Sequence, residues 1–252
     1  MTLPIGPDTI LYVFFLFCRI GGCMMLMPGI SSTRIPMQVR LFIAIAVTLA
    51  LTPLLLPTMA KALPDPAPVG ALLMVVSETA IGGLIGVMAR IFFLALQFMA
   101  TAAAMYVGYG NMSGAPIEDP DPQPSFAILI TLTATLLLFL TDQHWEILRA
   151  LVASYSALPI GQPVATQFSV IKLADVTSNA FILGLQISAP FLVYSLIVNL
   201  MVGIANKLTP QIPVYFISIP FVLAGGLFTL YFTVGEFLRV FITGFTAWLA
   251  TG

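Results

Sequence analysis

Apolar residues run through this chain in long blocks, and the polar and proline-rich breaks between them set out its elements. The first block, Thr9 to Met27, carries Arg19 in its interior and stops at Pro28-Gly29. Ser31, Ser32, Arg34 and Pro36 form a short polar link to a second block, Leu41 to Leu56, bounded by Arg40 and Pro57. A proline-rich connection, Leu63 to Pro68, comes next. The third block, Val69 to Val107, is 39 residues long without a proline. As one straight helix it would extend about 58 Å, whereas a hydrocarbon core of about 30 Å needs only about 20 residues. It is therefore expected to be two spans with a tight turn, or one helix projecting out of the membrane.

The stretch Gly108 to Pro124, GYGNMSGAPIEDPDPQP, interrupts the apolar sequence with three acidic residues, four prolines and three glycines. Helix cannot continue through Pro116, Pro120, Pro122 and Pro124, which remove backbone donors and clash with the preceding turn. In hydrocarbon, irregular backbone persists only where protein buries it or where it lines a wet cavity. The residues leave two readings: a connection outside the bilayer, or a segment tucked into a pathway.

Beyond it, Phe126 to Leu140 is short for an upright span, and Asp142, His144 and Glu146 read as a hydrated loop with Trp145 at an interface. Ile147 to Leu158 resumes the apolar pattern and ends at Pro159-Ile160-Gly161, after which a mixed polar link reaches Asp175. Val176 to Ala205 contains Asn179, Gln186, Ser188 and Pro190, and Lys207 to Pro213 reads KLTPQIP. Val214 to Leu249 reads as a helical hairpin turning near Gly235 to Arg239.

Composition settles the class. A mean hydropathy of +1.07 with 60% hydrophobic and 8% charged residues lies far from soluble domains, where about a quarter of residues are charged. The chain is expected to be an all-α, multi-spanning membrane protein. Nine basic residues and a net charge of -1 provide no clustered footprint for nucleic acid, and the positive-inside count has no clear winner. Met1 to Asp8 lacks the basic residues of a cleavable signal, so the first span is expected to stay uncleaved. Cys18 and Cys23 lie about 140° apart on a helix, which suits buried thiols better than a bridge.

Small residues at Gly82 and Gly86, continued by Ala100, Ala104 and Gly108, mark close helix packing, within the chain or against another subunit. No phosphate-binding or metal-ligand motif is present, and no cofactor or metal is expected. His144 has Asp142 and Glu146 two residues away on either side, offsets that do not share a helical face. Arg19, Glu78, Arg90, Glu236 and Arg239 lie inside apolar runs, where an unpaired charge is costly, so each should face protein or water. A small-molecule transporter would need Arg19, Glu78, Arg90 and the Pro190 region to converge beside broken helices; nothing in their spacing pairs them.

Arg19-Ile-Gly-Gly, Met27-Pro28-Gly29, Ser31-Ser-Thr-Arg34-Ile-Pro36 and Val39-Arg40 resemble the opening of the R family of type III secretion export-gate proteins. The resemblance continues at Glu78-Thr-Ala-Ile-Gly82 through Gly86, Leu140-Thr-Asp142-Gln-His144, Ser154, and Leu158-Pro159-Ile-Gly161. Its clearest part is Thr209-Pro210-Gln211-Ile-Pro213-Val214, followed by Ile219-Pro220 and Gly226. The chain departs from the family's usual Gly at Gln143 and Asn at Pro213.

The resemblance implies a non-enzymatic subunit of a helical hetero-oligomeric pore in the bacterial inner membrane, at the flagellar basal body. Its implied partners are the P and Q export-gate membrane proteins, further export-apparatus membrane proteins and unfolded protein substrates. It implies tilted helices, a P-like part over 1–205 with a central loop at 108–124, and a Q-like helical hairpin over 206–252. The central loop would plug the pore through Met105, Gly108, Gly110, Asn111, Met112, Gly114, Pro116, Pro120 and Pro122. Arg19, Arg34, Arg40, Glu78, Arg90, Pro210, Gln211 and Pro220 are the positions expected in buried-charge or assembly roles.

Overall fold

A computed structural model describes residues 7–32, 35–59, 68–109, 124–160 and 166–251, whose regular elements are all α-helices. In order they are α1 (Pro7–Leu26), α2 (Met37–Met59), α3 (Pro68–Tyr106), α4 (Ser125–Leu140), α5 (Gln143–Ala157), α6 (Thr166–Leu208) and α7 (Val214–Thr251). Among the described residues, five helices are long and apolar enough to cross a membrane, or six spans if the bent pair α4–α5 counts as one.

Several boundaries follow the local chemistry. α1 stops ahead of Pro28-Gly29, where Gly29 takes φ 85°, a region glycine enters without a Cβ penalty. Arg40 closes the link to α2, donating from Nε to the Ile35 carbonyl (3.0 Å) and from Nη2 to the Ser32 carbonyl (2.5 Å). α2 runs past its expected end at Leu56 and carries Pro53 and Pro57 inside it. Side-chain hydroxyls of Thr48 and Thr52 bond to carbonyls four residues back in the same helix, as is common in apolar helices.

The long third block is one uninterrupted helix, so the first of its two expected forms, a pair of spans with a turn, is not adopted. The expected hairpin within Val214–Leu249 is likewise replaced by a single 38-residue helix. A lone glycine at 235 does not force a turn, and Glu236 and Arg239 lie on one face of this helix as an i,i+3 pair at 3.7 Å. The region expected as a hydrated loop at 142–146 is instead mostly helix. Asp142 breaks α4 with φ 57°, and α5 restarts at once with Glu146 in its first turn, where a negative charge favours the helix dipole. α6 begins at Thr166, ahead of the expected Val176, since no proline or glycine intervenes between them.

The chain divides into two compact units. Unit 1 comprises Met1–Ile91 and Asp142–Thr177; unit 2 comprises Phe92–Thr141 and Ser178–Thr251. Unit 1 buries the α1 residues Phe15, Leu16, Ile20 and Met24 almost completely. Unit 2 is built on aromatic contacts: Phe93 packs edge-on against Phe241 and Phe245, and Phe191 packs edge-on against Phe237. Glycines set its closest approaches. Gly226 lies against Val107, and Gly225 lies beneath Tyr194, whose hydroxyl donates to the Val222 carbonyl at 2.7 Å.

Candidate functional site: a buried ion-pair hub

Unit 1 holds its most polar arrangement where it is driest. On α1, Phe15, Arg19 and Cys23 recur every four residues and so form one ridge, which Met27 continues just past the helix end. On α3, Glu78, Gly82 and Gly86 form another. The carbonyl of Arg19 sits over Gly82, and that of Cys23 lies 2.6 Å from where a Cβ on Gly86 would stand. From the other side, Gly22 meets the Thr79 carbonyl, with 2.7 Å to its would-be Cβ. These glycines let the two backbones touch, as small residues do in helix pairs packed in lipid. The stripe at Gly82 and Gly86 is thus used within the chain.

That approach brings Arg19 to Glu78. Nε donates to Oε2 at 2.6 Å and Nη2 to Oε1 at 3.0 Å, a two-point pair in which neither side chain is solvent-exposed. The C-terminal end of α5 completes the coordination. Nη1 donates to Ser154 Oγ at 3.2 Å and Nη2 to the Leu158 carbonyl at 3.0 Å. The Tyr155 ring lies 4.2 Å from the guanidinium carbon, within cation–π range. The Leu158 carbonyl lies just past the end of α5, where carbonyls lack helical partners and carry partial negative charge.

Burying a guanidinium costs several kcal/mol, recovered only when geometry is good and its donors are met; this site meets both conditions. Each guanidinium nitrogen has its partner within the chain itself. Glu78 is committed to Arg19, and α3 is unbroken where a transporter site would need a broken helix. Among the described residues, no three His, Cys, Asp or Glu side chains gather as metal ligands. The hub joins α1, α3 and the end of α5 through its hydrogen bonds.

The other expected positions are spread more widely. Arg40 holds the α1–α2 link, and Arg90 is half-buried on α3. Pro210 and Gln211 form an exposed turn between α6 and α7, and Pro220 is exposed inside α7. Met105 is exposed near the end of α3, and Gly108 takes φ 86° beside Val222 and Leu223. Arg34, Gly110, Asn111, Met112, Gly114, Pro116, Pro120 and Pro122 lie outside the described residues. Sequence reasoning found Arg19 and Glu78 but did not pair them. It also gave no role to Tyr155, or to Ser154 and Leu158, which stood only as blocks of the resemblance.

The hub thus unites three separated blocks of that resemblance. The model of the bacterial export proteins, family 1, matches residues 10–248. The chain belongs to this family. Its similarity extends to the flagellar biosynthetic protein FliR of Caulobacter vibrioides, 31% identical over 208 residues, or 81% of this chain and 80% of that protein. FliR of Escherichia coli K12 is 27% identical over 221 residues, covering 85% and 80%, and that of Aquifex aeolicus is 25% identical over 228, covering 88% and 83%. The family match takes in every hub residue and both ends of the 108–124 loop.

Proposed function

We propose that this chain is a non-enzymatic subunit of the flagellar type III protein export gate, forming part of the inner-membrane channel for unfolded export substrates. The observation that carries the reading is the family match from residue 10 to 248, joined to relatives named as flagellar biosynthetic proteins across four-fifths of their length. Its partners in this reading are the P and Q export-gate membrane proteins and further membrane proteins of the export apparatus. α7 supports it, since only 6% of its apolar window is buried within the chain, as expected of a helix that neighbours or lipid must cover. The parts would divide as a P-like 1–205 and a Q-like 206–252.

Within this reading the loop from Gly108 to Pro124 plugs the pore. Gly108 and Met105 support it at the loop's upstream root. Gly108 already takes a backbone conformation that favours glycine, and Met105 presents a flexible apolar side chain, 62% exposed. Deletion of Asn111–Gln123 is expected to raise ion leak through the assembled complex while leaving assembly intact. Unchanged leak in a complex that still assembles would remove the plug role.

A further inference from the structure

We propose that the Tyr155 hydroxyl is a standby donor for Glu78, giving the hub a second arrangement in which tyrosine replaces arginine on the carboxylate. The exchange is internal to unit 1 and does not depend on the export-gate reading. Tyr155 is 6% exposed, and no group among the described residues meets its hydroxyl. Its ring already serves the hub, 4.2 Å from the Arg19 guanidinium carbon, but an aromatic face needs no hydroxyl for that contact. A buried hydroxyl without a partner weakens the fold. Phenylalanine at this position would keep the ring and avoid the loss. An unmet polar atom in a native core calls for an account, and service in another arrangement supplies one.

The surroundings name the acceptor. Arg19, Glu78, Cys18 and Cys23 lie within electrostatic range of the hydroxyl. A guanidinium accepts no hydrogen bond and thiols accept weakly, so Glu78 carries the strong acceptor among them. Arg19 now holds both of its oxygens, one through Nε and one through Nη2. The guanidinium has other holds on α5, at Ser154 Oγ and just beyond the helix at the Leu158 carbonyl. If it gives up the carboxylate and keeps those, Glu78 passes to Tyr155 and is not left bare in a dry interior, the most costly outcome. No proton is transferred: the phenol donates a hydrogen bond and the carboxylate keeps its charge. The exchange moves the tie on α3 from α1 to α5. At Gly22 and Gly82, α1 and α3 meet through glycine and backbone, with no side chain at those positions to interlock them. Unit 1 thus has a built-in way for α1 to loosen from α3 while α3 stays anchored.

The test is a mutant cycle on the full chain in mild detergent, with two readouts. One is thermal unfolding. The other is the phenolic C–O stretch of Tyr155, isolated as the infrared difference between each protein and the same protein carrying Tyr155→Phe. With Arg19 present, Tyr155→Phe is expected to leave the melting temperature unchanged or to raise it, and the stretch to be that of an unbonded phenol. In Arg19→Met, the same change should lower the melting temperature by about 3 °C or more, and the stretch should move to that of a strong donor. Arg19→Met combined with Glu78→Leu removes the acceptor, and the unbonded stretch should return. Arg19→Lys, which gives up the two-point pair, serves as the background if Arg19→Met does not fold. An equal effect of Tyr155→Phe with and without Arg19, or a stretch indifferent to Arg19, overturns the proposal. So does a donor stretch that persists when residue 78 is leucine, because the acceptor is then another group.

Discussion

Arg19 shows how one residue can organise a dry interior. Its charge is permanent, so once buried it must be met, and it is met by a carboxylate, a hydroxyl, a carbonyl and an aromatic face. Removing one partner of such a pair costs about 3–5 kcal/mol, whereas replacing both with apolar residues of similar volume is often neutral. Glu78→Leu and Arg19→Met are each expected to lower the thermal stability of the purified chain sharply, and the double variant to recover much of the loss. Additive losses in that cycle would mean that the two side chains act independently. Ser154→Ala, which leaves a buried guanidinium N–H without its acceptor, should cost about 1.5–3 kcal/mol.

At the scale of helices, glycine has two meanings here that the sequence does not distinguish. Gly82 carries the Arg19 carbonyl against its Cα, and a methyl there would collide with backbone that cannot yield. Gly235 has open space around it. Gly82→Ala is therefore expected to destabilise the chain by more than 2 kcal/mol, within the range for overpacked cores. Gly235→Ala should gain up to about 1 kcal/mol from helix propensity. Melting curves of both variants in detergent provide the check, and the second also tests the form of α7. If Gly235 stood in a tight turn with positive φ, alanine there would destabilise instead. The hairpin expectation failed because residues 233–239 offer a turn only one glycine, whereas Glu236 and Arg239 share a helical face. The α4–α5 break was legible as a polar interruption, but its width was not. One residue in the left-handed region, Asp142, suffices to end one helix and begin the next.

For the whole molecule, the expected outcome is a complex with other proteins. A gentle-detergent pull-down from native membranes, followed by intact-complex mass analysis, should recover this chain with two other small apolar proteins. A lone monomer would set the export-gate reading aside. Class and helix content were legible from hydropathy alone, because only a fully hydrogen-bonded backbone is stable in hydrocarbon and apolar runs of this length have few other options. The family was legible from short blocks such as Thr209-Pro210-Gln211-Ile212-Pro213, which keep their order along the chain. What those blocks do for one another was not. Arg19, Glu78 and Ser154 are separated by 59 and 135 positions, counted from Arg19, and no helical periodicity relates residues on different helices. Their meeting depends on how closely α1 approaches α3, which glycines permit but only packing determines. The sequence by itself thus determined the solvent, the elements and the kinship of this protein. The tertiary structure decided which charges are paired, because pairing is a matter of distance between helices, and hydropathy carries no record of it.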